Sequence, residues 1–479
     1  MHDRRSHGRC SHDRPLALLR NVHSGATGLL AACLLIAGVS PARSSTSAGS
    51  VSGYEDSPLS IAVVPNSQKA YATASFSPGS PIAVIDTGKS AVTGYVSGYY
   101  NLLPGYVGVS PDGRVAAALD YQTSAIYIID TATDAVVGQV AFATQPDPGN
   151  GYFSTVAFSR DAKTAYATYR VLGKDDPGLT VIDVENKKAT GSIDGWGISI
   201  ASSPTQDKAY LTAGSEVAVI DTKQNARRGS VQNMQQYVRG FGAYAAAFSP
   251  DGRTAYIGGS DGNQNPAIVV VDAAKDTATG AVDLSEWAGC GWGGPSVFDV
   301  IFAPDGKTAF AQLGGAGCRN PDQGGTLVID ATTNTPGGTI PGLPLGGWTR
   351  SWSNGTSVLA ASPDSKRVYL ALIGQFNGDR DYIAVANLVP AIAKTALPSS
   401  GPAKGTQVTI RGANLQGTTA VYFGGADYQG KDLVVVSDSE ITVTAPPHPV
   451  GVVDVTVVNP GGNATMPNGF TYITILPAP

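Results

Sequence analysis

Whatever chemistry this chain performs over most of its length, it performs without imidazole. Of its five histidines, His2, His7, His12 and His23 fall within the first 23 residues, and only His448 comes later. A Ser-His-Asp triad, a Cys-His pair and a His-ligated zinc or copper are therefore excluded over residues 51–389. Acid–base work would fall to carboxylates, tyrosines, lysines or a bound cation. Six aspartates recur: Asp86, Asp130, Asp183, Asp221, Asp272 and Asp330. Each ends an apolar run and opens a tight turn, so the expected role is to accept backbone N–H groups from that turn. No Glu/Asp/Asn cluster breaks the repeat, and Asp299 and Glu286 are the carboxylates that an enzymatic reading would test. No catalytic residue, metal site or cofactor is assigned. A structural calcium would find its oxygen ligands in a loop such as Asp261-Gly262-Asn263.

The other residues able to recognise something are aromatic. All five tryptophans, Trp196, Trp287, Trp292, Trp348 and Trp352, lie in segments between repeats, together with Tyr99, Tyr100, Tyr152, Tyr237 and Phe241. Such rings either plug gaps between packed sheets or stay exposed as stacking platforms for sugars and anchors for proteins. Arg239, Glu286, Arg319 and Arg350 share these segments and could orient a polar ligand. The candidate ligand set is Trp196, Tyr237, Arg239, Trp287, Trp292, Trp348, Arg350 and Trp352.

What must position these residues is a repeated phrase. Its cleanest copy is Ser249-Pro250-Asp251-Gly252-Arg253-Thr254-Ala255-Tyr256, then an apolar run ending at Asp272, then Gly280-Ala281-Val282. Proline presets φ, Asp caps the turn and Gly accepts positive φ, which is hairpin chemistry. About seven copies, each of four short strands, predict an all-β fold: a seven-bladed β-propeller over residues 51–389. The seventh copy stops after Tyr382–Asn387 without a fourth strand. The missing strand is expected from the N-terminus, where Val51-Ser52-Gly53-Tyr54 matches Val92-Thr93-Gly94-Tyr95. The tight turns share one face. The longer second-to-third loops and the interblade connections share the other, which is where a ligand is expected.

Segments such as Ser110-Pro111-Asp112-Gly113-Arg114 followed by Ile128-Ile129-Asp130-Thr131-Ala132-Thr133 resemble the YVTN-type β-propeller of bacterial and archaeal surface proteins. From Pro390 the character changes. Val408-Thr409-Ile410-Arg411-Gly412-Ala413-Asn414-Leu415, Val421-Tyr422-Phe423-Gly424-Gly425 and Val453–Gly462 are short alternating strands between Gly/Pro/Asn turns, which predicts a β-sandwich. Residues 390–473 resemble an IPT/TIG domain, an immunoglobulin-like fold. In an exported acidic protein that resemblance implies a spacer or adhesive module.

Residues 1–42 read as a signal peptide: five arginines up to Arg20, an apolar run from Gly28 to Val39, and Ser40-Pro41-Ala42 as the cleavage site. The run is too short to span a bilayer. Leu30-Ala31-Ala32-Cys33 resembles a lipobox, the rival reading, which would anchor a lipid on Cys33. Removing residues 1–43 takes six basic and two acidic residues, moving the net charge from −5 to −9. That is a poor match for nucleic acid. Cys290 and Cys318 remain, one pair in an oxidising compartment, on connections that a propeller brings to one face, and a disulfide between them is expected.

The expectation is a secreted or cell-surface, monomeric, non-enzymatic binding scaffold. It presents an aromatic-rich propeller face to a glycan or protein, without a membrane span. The alternative is a histidine-free propeller enzyme, a metal-dependent lactonase or a polysaccharide hydrolase or lyase. A quinone-cofactor dehydrogenase would need a tryptophan in every blade, and tryptophan occurs only before blades four, six and seven.

Overall fold

A computed structural model describes the chain from Gly49 to Thr474, apart from residues 75–78, 100–103, 121–122, 124, 142–150, 172–177, 196, 289–295, 315–324, 340–357, 373–381, 388–390, 393–395, 397, 404, 414, 416–417, 419, 438–439 and 460–461. Residues 1–48 and 475–479 are likewise outside the described residues, and with them the expected signal peptide and Cys33.

The repeated phrase folds as seven four-stranded antiparallel sheets. Their first strands are Pro58–Val63, Pro104–Val109, Gly151–Phe158, Ser199–Ser202, Gly242–Phe248, Ser296–Phe302 and Leu359–Ala361, here blades one to seven. Each first strand contacts the first strand of the next blade, and the seventh contacts the first, which closes the ring. Second strands are buried on both sides and rich in alanine: Ala70 and Ala72, Ala116 to Ala118, Ala165 and Ala167, Ala309 and Ala311. Small side chains let neighbouring sheets approach closely, and close approach is what dense packing requires.

Both turn types follow the chemistry read from the sequence. In the first, Asp251 accepts the Arg253 N–H at 3.0 Å and the Ser249 hydroxyl at 2.6 Å. In the second, Asp130 accepts the N–H groups of Ala132 and Thr133 at 3.0 and 2.9 Å. Asp86, Asp183, Asp221, Asp272 and Asp330 repeat this cap. The backbone N–H of Thr133, then its hydroxyl, holds the Asp130 carboxyl below the usual carboxylate range. A carboxylate spent in this way is a turn cap.

Blade seven is completed from the N-terminus, as expected, but in a different register. The closing strand is Gly49–Ser50, paired with Tyr382–Asn387, and the Val51 N–H donates to Ile383 C=O at 2.9 Å. Ser52 has already crossed to blade one, donating to Ser90 C=O at 3.0 Å and accepting from Val92 N–H at 2.9 Å. Val51-Ser52-Gly53-Tyr54 is therefore equivalent to Val96-Ser97-Gly98-Tyr99, not to Val92–Tyr95. Ser97 makes the same two bonds with blade two, to Asp134 C=O and from Val136 N–H. Gly53 and Gly98 share a left-handed φ of 76° and 80°. Val-x-Gly-Tyr occurs twice in succession here, once in the fourth strand of blade one and once in the segment that follows it, and the second copy is the true match.

The C-terminal residues form a two-sheet sandwich. One sheet has the order Ala391–Ile392, Gln407–Ala413, Glu440–Thr444, Lys431–Ser437. The other has the order Ser400–Pro402, Gly462–Ile473, Gly451–Asn459, Ala420–Phe423. Alternate inward residues, among them Val408, Ile410, Phe423, Ile441, Val455, Val457 and Phe470, make the core between them. His448 stacks on Tyr472 at 4.8 Å between ring centroids, which gives the late histidine a packing role.

Candidate functional site: the loop-bearing face

Where both are described, as in blades two and five, an interblade connection and a second-to-third loop meet at the same end of the blade. Tyr99, in the connection into blade two, donates to the Asp120 carboxylate at the end of that blade's second strand, at 2.9 Å. In the connection into blade five, Arg239 C=O accepts the Gly262 N–H of that blade's second-to-third loop at 2.9 Å. The pairing follows from blade geometry, because a connection enters at the end where the second strand leaves.

The best-described part of this face is the connection Val231–Phe241. Its anchors are Met234 and Phe241, both buried. Gln235 fixes the intervening bend, accepting from the N–H groups of Gly240 and Phe241 at 2.8 and 3.2 Å and donating to Phe241 C=O at 3.2 Å. Tyr237 stands on that support 42% exposed. Arg239 is exposed beside it. An exposed ring and a guanidinium on a rigid loop present a flat apolar surface and a fork of donors, which suits a sugar or a protein side chain. The facing loop is braced by its own aspartate as well as by the Gly262 bond to Arg239. Asp261 takes the N–H groups of Asn263 and Asn265 at 2.8 and 2.7 Å on one oxygen and the Asn265 amide on the other. Among the described residues, no group of three or more His, Cys, Asp or Glu comes together.

Trp287 behaves differently from Tyr237 and Arg239. It is 6% exposed and packs with Val282, Leu284, Val297, Leu327 and Ile329 in the seam between blades five and six. Its ring plugs a gap, so it offers no stacking platform. Trp196, Trp292, Trp348, Arg350, Trp352, Arg319, Tyr100 and the cysteines Cys290 and Cys318 lie outside the described residues. The Tyr152 side chain does as well. Tyr237 and Arg239 are thus the members of the candidate set that the structure describes as exposed.

The two carboxylates singled out for chemistry are separated by burial. Glu286 is exposed in the short 3-10 turn Ser285–Trp287. Asp299 is buried in the seam between blades six and seven, where one oxygen accepts the N–H groups of Val358 and Leu359 at 2.8 and 2.9 Å. Burial pushes the Asp299 carboxyl up to about 7, against the pull of those backbone donors. Its place is structural. Ser60 stands at the same offset from its turn proline, Pro65, as Asp299 does from Pro304, and it likewise accepts the Val107 N–H of the next blade.

One further feature left no mark in the sequence, an open cleft of about 540 Å³ between blades three and four. Its walls include Asp194, Gly195, Asn225 and Arg227. Arg227 sits in a fourth strand, where the repeat draws the eye to its glycine.

The family model for the IPT/TIG domain matches residues 392–472. No curated protein matches the chain. Among solved structures the chain is similar to one titled "Crystal Structure of Mitotic Checkpoint Complex", at 14% identity over 78% of this chain and 98% of that one, with a TM-score of 0.49. At that score the likeness carries no argument. No helix among the described residues is long and apolar enough to cross a membrane. The match agrees with the sandwich topology and with the alternating core of the C-terminal strands: residues 392–472 are an IPT/TIG domain.

Proposed function

We propose that this chain is an exported, non-enzymatic binding scaffold whose propeller offers its loop-bearing face to a glycan or protein ligand, with the IPT/TIG domain as spacer or second contact. The observation that carries the reading is the fate of the polar groups. The recurring aspartates are consumed in turn caps, and Asp299 is buried in an interblade hydrogen bond. Tyr237 and Arg239 by contrast stand exposed on a braced loop. The lactonase or polysaccharide-hydrolase alternative loses Asp299 as an accessible acid. The turn phrase and the strand-end aspartates also favour a YVTN-type repeat. The Cys290–Cys318 disulfide and surface localisation belong to the same proposal.

The test is a glycan and protein array probed with the chain lacking residues 1–42. Binding weakened by Trp348→Ala or by Tyr237→Ala, with the melting temperature unchanged, supports the reading. Turnover of a lactone or polysaccharide that a chelator abolishes would transfer it to the enzyme class.

A further inference from the structure

The cleft between blades three and four exists because one strap fails to close. After its fourth strand, each of blades one, three, four, five and seven sends a short strap toward the next. In three seams the strap zips onto the fourth strand of the following blade through a parallel bridge: Ser52 to Ala91, Ser97 to Ala135 and Gln232 to Thr277. Each time, the strap residue donates to the C=O of a left-handed turn residue (Ser90, Asp134, Asp276) and accepts the N–H of the residue two further on (Val92, Val136, Ala278). In the seam between blades five and six, Leu284 and Trp287 fill the space instead.

Strand register makes Ile193-Asp194-Gly195 the strap of blade three, because Ile193 pairs with Leu179 as Val231 bonds to Val217. The landing site would be Asn225 C=O and Arg227 N–H. Among the described residues neither bonds to Asp194. This seam differs in the side chain at the landing position. Val92, Val136 and Ala278 are short. Arg227 is long, and it is held along the edge by an ion pair with Glu216, which also takes the Ser230 hydroxyl. A Cβ placed at Gly98 would lie 3.3 Å from the Val136 Cβ, whereas one placed at Gly195 would meet only Arg227 Nη1, at 4.0 Å. Arg227 Nη1 is thus the nearest group to the Gly195 Cβ position, and the strap stands off the edge.

We propose that this edge of blade four docks an extended segment of a partner polypeptide, which takes the position that the chain's own straps take in the three zipped seams. The edge offers one backbone acceptor and one backbone donor at the spacing a strand satisfies, which is the basis of strand addition. The sister straps indicate the preferred occupant, valine, then serine or glutamine, then glycine or asparagine. Arg227 and Asp194 flank the entrance and select among side chains. The site lies at a seam formed by fourth strands, and the inference does not rest on the reading of the loop-bearing face.

The test uses the full chain and a fluorescent octapeptide with the sequence of Thr93–Tyr100, which contains the bridging serine of a zipped strap. A second peptide carries proline in place of that serine and lacks the N–H that would reach Asn225. The serine peptide should bind saturably and roughly tenfold more tightly than the proline peptide, about the effect of one hydrogen bond left unmade. Arg227→Val should let the strap close. Peptide binding would then be lost, and the Asp194 and Arg227 amides would gain roughly tenfold protection from hydrogen exchange. Arg227→Lys, which keeps length and charge, should still bind. No saturable binding, equal affinity for the two peptides, or binding indifferent to Arg227→Val overturns the proposal. So does a concentration-dependent dimer that excludes the peptide, since the occupant would then be a second copy. The comparison of the two peptides remains decisive even if the valine variant does not fold. Tyr237→Ala leaves this binding intact and reports separately on the loop-bearing face.

Discussion

Tyr256 in the second strand of blade five donates a 2.6 Å hydrogen bond to the Asn334 side chain, in the third-to-fourth turn of blade six. The same latch recurs around the ring: Tyr71 to Asp134 at 2.5 Å, Tyr166 to Asn225 at 2.5 Å and Tyr210 to Asp276 at 2.6 Å. Tyr369 reaches the matching turn of blade one through Thr87 C=O at 2.7 Å. Where the tyrosine is missing, its partner changes too. Blade two has Ala117, and the facing turn residue is Lys187. Blade six has Phe310, and blade seven has no such turn, since its third and fourth strands come from distant parts of the chain. Burial pushes these tyrosine hydroxyls well above their ordinary range, so each stays a donor at any pH of interest.

Breaking one latch should cost about 1 kcal/mol, the net worth of a partly buried hydrogen bond. Tyr256→Phe is expected to lower stability by that amount in a urea titration without altering the denaturant slope. Phe310→Tyr is expected to gain nothing, because no turn waits opposite. A gain equal to the loss at Tyr256 would contradict the latch.

One latch carries a buried charge. The Lys208 ammonium, 2% exposed, sits 2.5 Å from the Asp276 carboxylate, which also accepts from Tyr210 and Arg228. Burial raises the Asp276 carboxyl, but the hydrogen bonds from Lys208 and Tyr210, with the Lys208 charge, outweigh it and hold the group below the usual carboxylate range. A depressed folded value gives stability that is present above the unfolded pKa of about 3.9 and lost as pH falls through the folded value. Wild type should therefore lose melting temperature below about pH 4 more steeply than Asp276→Asn. Parallel curves would remove this pair from the account.

Asp299 predicts the opposite slope. Its carboxyl titrates near 7 in the fold, above the unfolded value, so its contribution is complete in acid and is lost as pH rises toward and through about 7. Asp299→Asn keeps a carbonyl for the Val358 and Leu359 N–H groups and removes the proton. Its melting temperature relative to wild type should rise between pH 4 and pH 8. A difference independent of pH would mean that the carboxyl is not buried in solution.

Completion of blade seven rests on few residues. Only Gly49–Ser50 and the Val51 N–H bind the N-terminal segment to blade seven among the described residues. A chain beginning at Ser52 leaves the third strand of that blade as an open edge. It should melt several degrees lower and aggregate on heating. Unchanged melting would show that the seventh blade holds without its fourth strand.

The blades, the caps and the domain change at Pro390 were legible because proline, aspartate and glycine at fixed offsets act locally. The closing register was not, because Val-x-Gly-Tyr occurs twice within Val92–Tyr99 and local matching cannot choose between the copies. The buried state of Trp287 and the role of Asp299 were hidden for a related reason. Each is decided by the neighbouring blade, across a seam that residue spacing does not describe. The Tyr-to-turn latch leaves a trace in the pairing of Ala117 with Lys187, visible only once the blades are set in order.

A propeller that presents a ligand face, and not a catalytic centre, must respond differently to changes at its buried acid and at its exposed loop. Ligand binding of Asp299→Asn is measured beside that of the Tyr237→Ala/Arg239→Ala double variant, with hydrolytic turnover followed in the same samples. Asp299→Asn should bind as wild type does, while the double variant loses at least about tenfold in affinity, with no turnover in any sample. Turnover in wild type that Asp299→Asn abolishes would contradict the binding role.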